Sequence, residues 1–399
     1  MLVMANYING KLSPSLSGEV IEVLNPYNQE VIGTVPKSTR SDVEEALKSS
    51  QKAQKKWCKL PAQKRASYLV EIADLLELHK EEMAVLLTKE HGKPLTQARD
   101  EIDASCGFIR YAAESARRIE GEIVTSEIDQ EQTWIQRVPY GVTVGIVAWN
   151  FPLALAARKF GNSLVCGNTM IIKPPSETPL TVMRLAEIIA KESSLPVGVL
   201  NFITGSGSEV GDALVRNDVV KLVTLTGSTR AGLEVFRAAA DHCVAVRLEL
   251  GGKAPFIVME DTDIDRAVKA AVIAKFNNCG QICTCNERMY IHESIYEKFV
   301  AGLIEKTSEL VVGDPLNPDT FIGPKVNKAE VEKINQLVQK SVEQGGKVLL
   351  DMTPEMKPTQ NGNWMYPVII EVPNNDNILM HDEIVGPVLP VMKVRDFNQ

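Results

Sequence analysis

From about residue 141 onward, the sequence predicts an α/β protein with a parallel sheet covered by helices. Short apolar segments alternate with amphipathic ones there, as strands and helices do in such proteins. The chain has 399 residues, enough for two domains that each bury a core. Hydrophobic residues make up 44% of the sequence and charged residues 24%, which is typical of a globular protein.

A helical stretch at about residues 41–119 is predicted to precede this alternation. Ser41 and Glu44 have the spacing of a capping box at its start. Apolar residues then recur at helical spacing at Leu69, Ile72, Leu76, Met83 and Leu87. Strands are expected next at 142–148, 169–172, 199–203, 222–225 and 244–250, with helices at about 152–166, 180–193, 208–217 and 229–241.

A second α/β unit is predicted to begin near residue 251. Asp263 is placed to cap a helix that runs to about Phe276 and leads into a turn before Cys283. Further strands are expected at 289–291, 347–350 and 388–394, with helices at 295–310 and 328–343.

The residues that follow the predicted strands indicate where a ligand binds. In parallel sheets, ligands bind beyond the carboxyl ends of the strands. Asn150, Lys173, Gly205 and Gly227 fall just after strands, where a dinucleotide would lie. We therefore predict a helical stretch and a Rossmann-like dinucleotide-binding domain in residues 1–250. Residues 251–399 are predicted to form an α/β catalytic domain.

Charge and cysteine content exclude several classes of protein. Lys and Arg number 43 and Asp and Glu 51, so the net charge is −8, without the basic stripe of a nucleic-acid-binding protein. The apolar segments are too short to cross a bilayer, and no secretory leader is recognised at the start. Seven cysteines, an odd number, indicate a reduced cytoplasmic protein. None has zinc-ligand spacing, so no metal is expected.

Three residues have the chemistry of an acyl-transfer site. Cys283, in a Gly-Gln-Ile-Cys turn, is the candidate nucleophile. Glu249 precedes a flexible glycine pair, Gly251-Gly252, and is the candidate general base. Asn150, in Trp-Asn-Phe-Pro, is the candidate donor to an oxyanion. The alternatives are a buried structural cysteine, an ion-paired glutamate at a strand end and an asparagine that only caps a helix.

In this order, the three motifs resemble the aldehyde dehydrogenase superfamily, and the resemblance runs from Tyr7 to the last residue. It implies that the thiolate of Cys283 adds to an aldehyde and that hydride passes to a nicotinamide. Glu249 would then activate the water that hydrolyses the thioester. Asn150 and the backbone N–H of Cys283 would stabilise the oxyanion.

The same resemblance implies a set of residues that bind NAD or NADP. Gly227 and Ser228 open a helix after a strand, a phosphate-binding arrangement, and Gly205 resembles the preceding turn. The other positions implied by the resemblance are Trp149, Lys173 at the adenosine ribose, Ser176 and Glu383 at the nicotinamide ribose. Members that prefer NAD often have Glu where Ser176 stands. Its absence favours NADP, unless Glu177 takes that place.

Arg158, eight residues after Asn150, is the candidate substrate contact. Succinate-semialdehyde dehydrogenases have a similar Arg-Lys pair but tend to carry a second arginine where this chain has Asn277. Residues Cys283 to Arg288 look like the lactaldehyde and glycolaldehyde dehydrogenase branch. We therefore expect a small hydroxyaldehyde first and succinate semialdehyde second. A salt-bridged helix residue is the alternative for Arg158.

Family members continue well past the strand at 388–394, so the catalytic domain is predicted to be truncated at its C-terminus. They also assemble through a C-terminal arm that joins a bridging strand, which the resemblance places at about residues 132–140. The absence of the arm weakens the expectation of a homo-oligomer. Two other hypotheses stay open. One is a non-catalytic paralogue or fragment that binds a dinucleotide through residues 142–250. The other is an activity that only hydrolyses thioesters with Cys283, Glu249 and Asn150.

Overall fold

The computed structural model describes residues 1–354, 359–396 and 398–399. Its strands are, in chain order, β1 (Leu2–Val3), β2 (Asn6–Ile8), β3 (Lys11–Ser13), β4 (Val20–Leu24), β5 (Val31–Pro36), β6 (Glu122–Thr125), β7 (Gln132–Ile135), β8 (Val142–Ile146), β9 (Thr169–Lys173), β10 (Leu200–Phe202), β11 (Val220–Thr226), β12 (Ala245–Glu249), β13 (Pro255–Val258), β14 (Arg288–His292), β15 (Lys347–Asp351), β16 (Val368–Glu371) and β17 (Val388–Val394). Its α-helices are α1 (Arg40–Trp57), α2 (Ala62–Leu78), α3 (Lys80–His91), α4 (Leu95–Glu114), α5 (Pro152–Val165), α6 (Leu180–Glu192), α7 (Asp212–Val215), α8 (Thr229–Ala240), α9 (Ile264–Phe276), α10 (Tyr296–Ser308), α11 (Lys328–Glu343) and α12 (Ile378–His381).

The chain forms two compact units. The first comprises Met1–Val23, Val31–Leu86 and Arg99–Leu250, and the second comprises Leu24–Glu30, Leu87–Ala98 and Gly251–Gln399. The chain passes into the second unit for the last time between Leu250 and Gly251. Two short segments of the N-terminal region, Leu24–Glu30 and Leu87–Ala98, also belong to the second unit. The predicted division was a single boundary after residue 250 and did not include them.

A sheet in the order β12-β11-β8-β9-β10-β2-β3 forms the centre of the first unit. The strands from β12 to β10 are parallel, while β2 and β3 add to the β10 edge in antiparallel fashion. Buried apolar residues such as Val144, Ile171 and Val223 form its core. The α/β prediction and its parallel strands are confirmed, with boundaries that differ by one or two residues. Lys173 is the last residue of β9 rather than the residue after it.

The helical stretch predicted at 41–119 is four α-helices followed by a short 3-10 turn at Ser115–Arg118. Pro61 separates α1 from α2, and Gly92 to Pro94 separate α3 from α4. The predicted cap at Ser41 is wrong, because α1 already begins at Arg40. The carboxylate of Asp42 instead accepts hydrogen bonds from the backbone N–H and the hydroxyl of Thr39, at 2.8 and 3.0 Å.

The strand predicted at about 132–140 is shorter than expected. It ends at Ile135 and pairs with β6 in a two-stranded antiparallel ribbon. All residues of both strands are exposed. Residues 136–140 have no regular structure, and Val138 and Tyr140 among them are exposed.

The second unit is built on a sheet in the order β13-β14-β17-β16-β15, in which only the pair β15–β16 is antiparallel. Its apolar core is formed by residues that include Met289, Phe299 and Leu389. The predicted cap of α9 is confirmed, because the carboxylate of Asp263 accepts from the N–H of Arg266 at 3.2 Å. Among the described residues, no helix has the length and apolar character that crossing a bilayer requires.

Candidate active site

The carboxyl ends of β9, β8, β11 and β12 lie side by side in the first unit. Lys173 pairs with Ile146, and Glu249 pairs with Thr226 in the strand register. The N–H of Gly227 donates to the carbonyl of Glu249 at 3.0 Å, which fixes the glycine turn beside the end of β12. The predicted cofactor residues of this unit and Glu249 therefore lie along one edge of the sheet.

Asn150 lies in the turn between β8 and α5. The N–H of Phe151 donates to its side-chain oxygen at 3.1 Å, so the amide nitrogen faces the other way. An acidic side chain from α4 fixes the start of α5, since Glu101 accepts from the N–H groups of Leu153 and Ala154 at 3.0 and 3.2 Å. Glu101 is only 2% exposed. The helix start, and with it Asn150, is therefore held from inside the unit.

Glu249 is exposed at the end of β12, as expected of a base that must reach water. A lysine that the sequence analysis missed lies within electrostatic range of it. Lys159 on α5 is buried and donates to the hydroxyl of Thr224 at 2.9 Å. Burial lowers the pKa of Lys159 to about 8, although the negative charge of Glu249 opposes that shift.

The turn at Gly227 and Ser228 has the features of a phosphate site. Ser228 caps α8 by accepting from the N–H of Ala231 at 3.2 Å. Ser228, Thr229 and Arg230 are exposed, so the first turn of α8 is open to a ligand.

The turn that contains Gly205 lies after β10. Gly205 has a φ of +142°, and a Cβ there would lie 2.5 Å from the side chain of Val210. The hydroxyl of Ser206 accepts from the N–H of Glu209 at 3.1 Å and so begins the short turn that follows. Glycine is thus required at 205 by backbone geometry and packing.

Lys173 is buried, and its ammonium donates to the carbonyl of Pro174 at 3.1 Å. Burial lowers its pKa to about 8, against the opposing charge of Glu177. Ser176 is half-buried, whereas Glu177 is exposed. The carbonyl of Trp149 accepts from the hydroxyl of Thr178 at 2.9 Å, which ties the Trp149-Asn150 turn to this loop.

Arg158 is exposed on α5. Its guanidinium carbon lies 4.6 Å from the ring centroid of Phe108 on α4, a cation–π contact. The planar group is therefore held against an aromatic face while its charge stays accessible.

In the second unit, α9 leads into the turn that precedes Cys283. Asn278, Cys279 and Gly280 all have left-handed backbone conformations, with φ of 51°, 57° and 68°. A Cβ on Gly280 would lie 2.2 Å from the carbonyl oxygen of Gly386, so only glycine fits there. A succession of left-handed residues is strained and requires strong local restraints.

Side-chain hydrogen bonds supply those restraints. Asn278 donates to the carbonyl of Gln281 at 3.3 Å, and Gln281 donates to the carbonyl of Asn278 at 3.1 Å. The oxygen of the Gln281 side chain accepts from the N–H of Val326 at 3.1 Å, and Gln97 accepts from the N–H of Asn278 at 2.8 Å. The glutamine of the sequence motif is therefore a structural clamp.

The three cysteines of this segment differ in exposure. Cys283 is exposed, while Cys279 and Cys285 are buried. Burial raises the pKa of the Cys279 thiol to about 11 and also raises that of Cys285. Cys285 donates to the carbonyl of Gly280 at 3.4 Å. Of the three, Cys283 alone is placed for reaction with a ligand.

Glu383 faces the segment that follows Glu249 in the chain. Its carboxylate accepts from the N–H of Gly252 at 3.2 Å, and a Cβ on Gly251 would lie 2.0 Å from one of its oxygens. Burial raises the pKa of Glu383. A Cβ on Gly252 would lie 3.3 Å from the carbonyl oxygen of Cys283. The glycine pair therefore allows Glu383 and Cys283 to approach this segment closely.

The sequence analysis missed Glu101, Lys159 and Glu287. Glu287 is buried and ion-paired with Lys253 and Lys275. The local sequence contains no signal for Glu287, because the lysines that pair with it come from other segments of the chain. Among residues 1–354, 359–396 and 398–399, no group of three or more Cys, His, Asp or Glu side chains could hold a metal ion.

The donors and acceptors described above fit a nicotinamide dinucleotide. In the first unit, the open first turn of α8 suits a pyrophosphate, and Lys173 supplies a donor for ribose hydroxyls. A parallel-sheet unit with such an edge is typical of α/β oxidoreductases that bind a dinucleotide.

The family match agrees with that class. The description "Aldehyde dehydrogenase family" matches residues 13–399, so the chain belongs to the aldehyde dehydrogenase family.

Three known proteins illustrate the similarity. A 3,6-anhydro-alpha-L-galactose dehydrogenase from Vibrio sp. (strain EJY3) is 42% identical, over 98% of this chain and 82% of that protein. A D-glyceraldehyde dehydrogenase (NADP(+)) from Picrophilus torridus is 39% identical, over 99% of this chain and 80% of its own length. The crystal structure of lactaldehyde dehydrogenase from Escherichia coli has a TM-score of 0.96 and 37% identity, and the match covers 100% of this chain and 83% of that one. These proteins support an aldehyde-oxidising enzyme over the non-catalytic alternative, and this chain spans 80–83% of their own length.

Proposed function

We propose that this protein oxidises small hydroxyaldehydes to carboxylic acids, with Cys283 as nucleophile and NADP or NAD as hydride acceptor. The observation that carries the proposal is the exposure of Cys283 in a turn whose other two cysteines are buried. A thiol nucleophile must meet a carbonyl directly, whereas a structural cysteine has no such requirement.

The steps follow from the residues. The sulfur of Cys283 adds to the aldehyde carbon, and the amide N–H of Asn150 and the backbone N–H of Cys283 stabilise the oxyanion. A nicotinamide cofactor would, when bound, accept the hydride from the tetrahedral carbon, which would leave a thioester on Cys283. Glu249 then takes a proton from the water that attacks the thioester. Collapse of that adduct releases the acid and returns the sulfur of Cys283.

NADP is the preferred cofactor in this proposal. Ser176 carries no charge that would repel a 2′-phosphate. The Picrophilus relative is named as an NADP(+) enzyme, which supports the same preference.

The substrate is a small polar aldehyde. Arg158 offers one cation on the face of Phe108, which suits hydroxyl groups next to the carbonyl. The Picrophilus relative is named for D-glyceraldehyde, a hydroxyaldehyde. Succinate semialdehyde is the second candidate, because the Arg158-Lys159 pair resembles enzymes that act on it, although Asn277 supplies no second cation.

The test is the rate of cofactor reduction by the purified protein with glyceraldehyde, lactaldehyde and succinate semialdehyde, each with NADP and with NAD. We expect the hydroxyaldehydes with NADP to give the highest kcat/KM. Cys283→Ala should lower kcat about a thousandfold or more. Cys285→Ala, which removes a buried neighbour, is the matched control and should keep most activity. Equal activity of Cys283→Ala and the unaltered protein would refute the proposed nucleophile.

We infer a cytoplasmic homo-oligomer that does not bind nucleic acid. The acidic net charge of −8 disfavours binding to a polyanion. Thiols such as Cys58, Cys106 and Cys166 are compatible with a reducing compartment. The exposed apolar ribbon of β6 and β7 supports self-association.

A further inference from the structure

Glu287 joins three segments of the second unit through one buried carboxylate. One oxygen accepts from the ammonium of Lys275 at 2.8 Å. The other accepts from the ammonium of Lys253 at 3.0 Å and from the backbone N–H of Ile384 at 2.7 Å. The side chains of Lys275 and Glu287 are 0% and 2% exposed, so water does not screen this ion pair.

Each of these segments carries part of the proposed chemistry. Lys275 lies in the last turn of α9, directly before the turn that presents Cys283. Lys253 follows the glycine pair behind Glu249, and its ammonium also donates to the carbonyl of Asp382 at 2.6 Å. Ile384 is the residue after Glu383. The carboxylate of Glu287 therefore links the nucleophile turn to the segment that carries Glu383.

The segment with Glu383 needs such a restraint. Val385 has a φ of 52°, which is a strained conformation for a β-branched residue. The ammonium of Lys325 donates to the carbonyl of Val385 on one side of this residue. On the other side, Glu287 holds Ile384. Without Glu287, the N–H of Ile384 would lose the carboxylate that accepts from it, and the backbone next to Glu383 would lose one of its restraints.

We propose that Glu287 is a positioning residue that sets the place of Glu383, and through it the affinity for the nicotinamide cofactor. The inference rests on the proposed role of Glu383 at the nicotinamide ribose. Glu287 itself has its carboxylate occupied by protein groups and does not contact a ligand in this scheme. Its effect should therefore appear in cofactor binding more than in the reactivity of Cys283.

The test compares two reactions of Glu287→Gln and Lys253→Met. One is aldehyde oxidation at varied NADP concentration. The other is hydrolysis of an activated phenyl ester without cofactor, which needs Cys283 and Glu249 only. We expect the KM for NADP to rise about tenfold or more in both variants, since a charge-assisted hydrogen bond is lost. Ester hydrolysis should stay within about twofold, because the nucleophile turn keeps its own clamps.

Tyr296→Phe is the matched control. It removes a buried side-chain hydrogen bond to Glu371 in the same unit, away from Glu383. We expect it to lower Tm without a change in the KM for NADP. If Glu287→Gln lowers both reactions equally and leaves the KM for NADP unchanged, Glu287 is only structural and the proposal is overturned.

Glu383→Gln distinguishes the proposed role of Glu383 from the proposed role of Glu287. A normal KM for NADP in Glu383→Gln would refute the proposed role of Glu383. A raised KM in Glu383→Gln together with a normal one in Glu287→Gln and Lys253→Met would refute the present inference alone. If Glu287→Gln does not fold, Lys253→Met decides, because Lys253 is 14% exposed and its loss leaves the Lys275–Glu287 pair intact.

Discussion

Cys279, Cys283 and Cys285 lie within seven residues of one another, yet the fold gives them different chemistry. Cys279 occupies a left-handed position inside the core, and burial raises the pKa of its thiol to about 11. Cys285 donates to a backbone carbonyl in the interior. Cys283 lies after the clamped turn and is exposed. Within the Gly-Gln-Ile-Cys motif, Gly280 and Gln281 fix the turn, and Cys283 after that turn is the exposed thiol of the three.

Ser176→Glu should change the cofactor preference. A carboxylate at this position would repel a 2′-phosphate and accept a hydrogen bond from a 2′-hydroxyl. We expect kcat/KM for NADP to fall about tenfold or more, which corresponds to the repulsion of two charges a few ångströms apart in a partly screened site. The value for NAD should change by less than about threefold. Ser176→Ala is the control, and a persistent NADP preference in Ser176→Glu would contradict the argument.

Lys173→Met should change how stability depends on pH. Burial lowers the pKa of Lys173 from 10.5 to about 8, so the unfolded chain binds more protons than the folded one between these values. The cost of burying the charged lysine is present in full below about pH 8 and disappears as pH rises toward 10.5. We expect the stability of Lys173→Met relative to the unaltered protein to be about 1–3 kcal/mol higher at pH 7 than at pH 10. Thermal unfolding of both proteins at the two pH values measures this difference, and other titrating groups cancel in it. A difference that does not vary with pH would contradict the burial of a charged Lys173.

At the scale of elements, the turn after α9 depends on a single glycine. Gly280→Ala would place a Cβ 2.2 Å from a backbone oxygen at a φ of 68°. We expect a loss of about 2–4 kcal/mol of stability and near-complete loss of dehydrogenase activity. Gly107→Ala is the matched change in α4, where a Cβ would meet nothing within 4 Å. It should stabilise the protein by about 0.5–1 kcal/mol. Thermal unfolding and activity assays distinguish the two, and a well-folded, active Gly280→Ala would contradict the described turn.

The parallel strands of the first unit were predictable from sequence because they are continuous apolar runs between helices. The sites at Cys283, Glu249 and Asn150 were predictable from short motifs, although their roles stay predictions. The ends of elements were less predictable. The N-cap of α1 is Thr39 rather than Ser41. Sequence could not distinguish them, because both side chains can cap a helix. The structural roles of Glu101 and Glu287 were not predicted, since each role depends on hydrogen-bond or ion-pair partners from other segments of the chain.

At the scale of the whole molecule, the ribbon of β6 and β7 carries apolar side chains that are exposed. Ile123 and Trp134 are cross-strand partners, and they are 65% and 63% exposed. An isolated two-stranded ribbon is marginally stable in water, and a contiguous apolar patch usually marks an interface. A second copy of this chain is the occupant that we expect, because the ribbon has no other role in the proposed chemistry.

Trp134→Lys should therefore shift the protein toward the mass of one chain in size-exclusion chromatography with light scattering. The introduced charge would have to be buried against another copy, which costs several kcal/mol and weakens the association about a hundredfold or more. The monomeric variant should keep its helical circular dichroism, since Trp134 packs on no core of its own unit. Leu78→Lys is the control, because Leu78 is an exposed apolar residue at the end of α2, away from the ribbon. It should leave the mass unchanged. An unaltered protein that already runs as a single chain at micromolar concentration would contradict the expected assembly, because the exposed ribbon would then tolerate water.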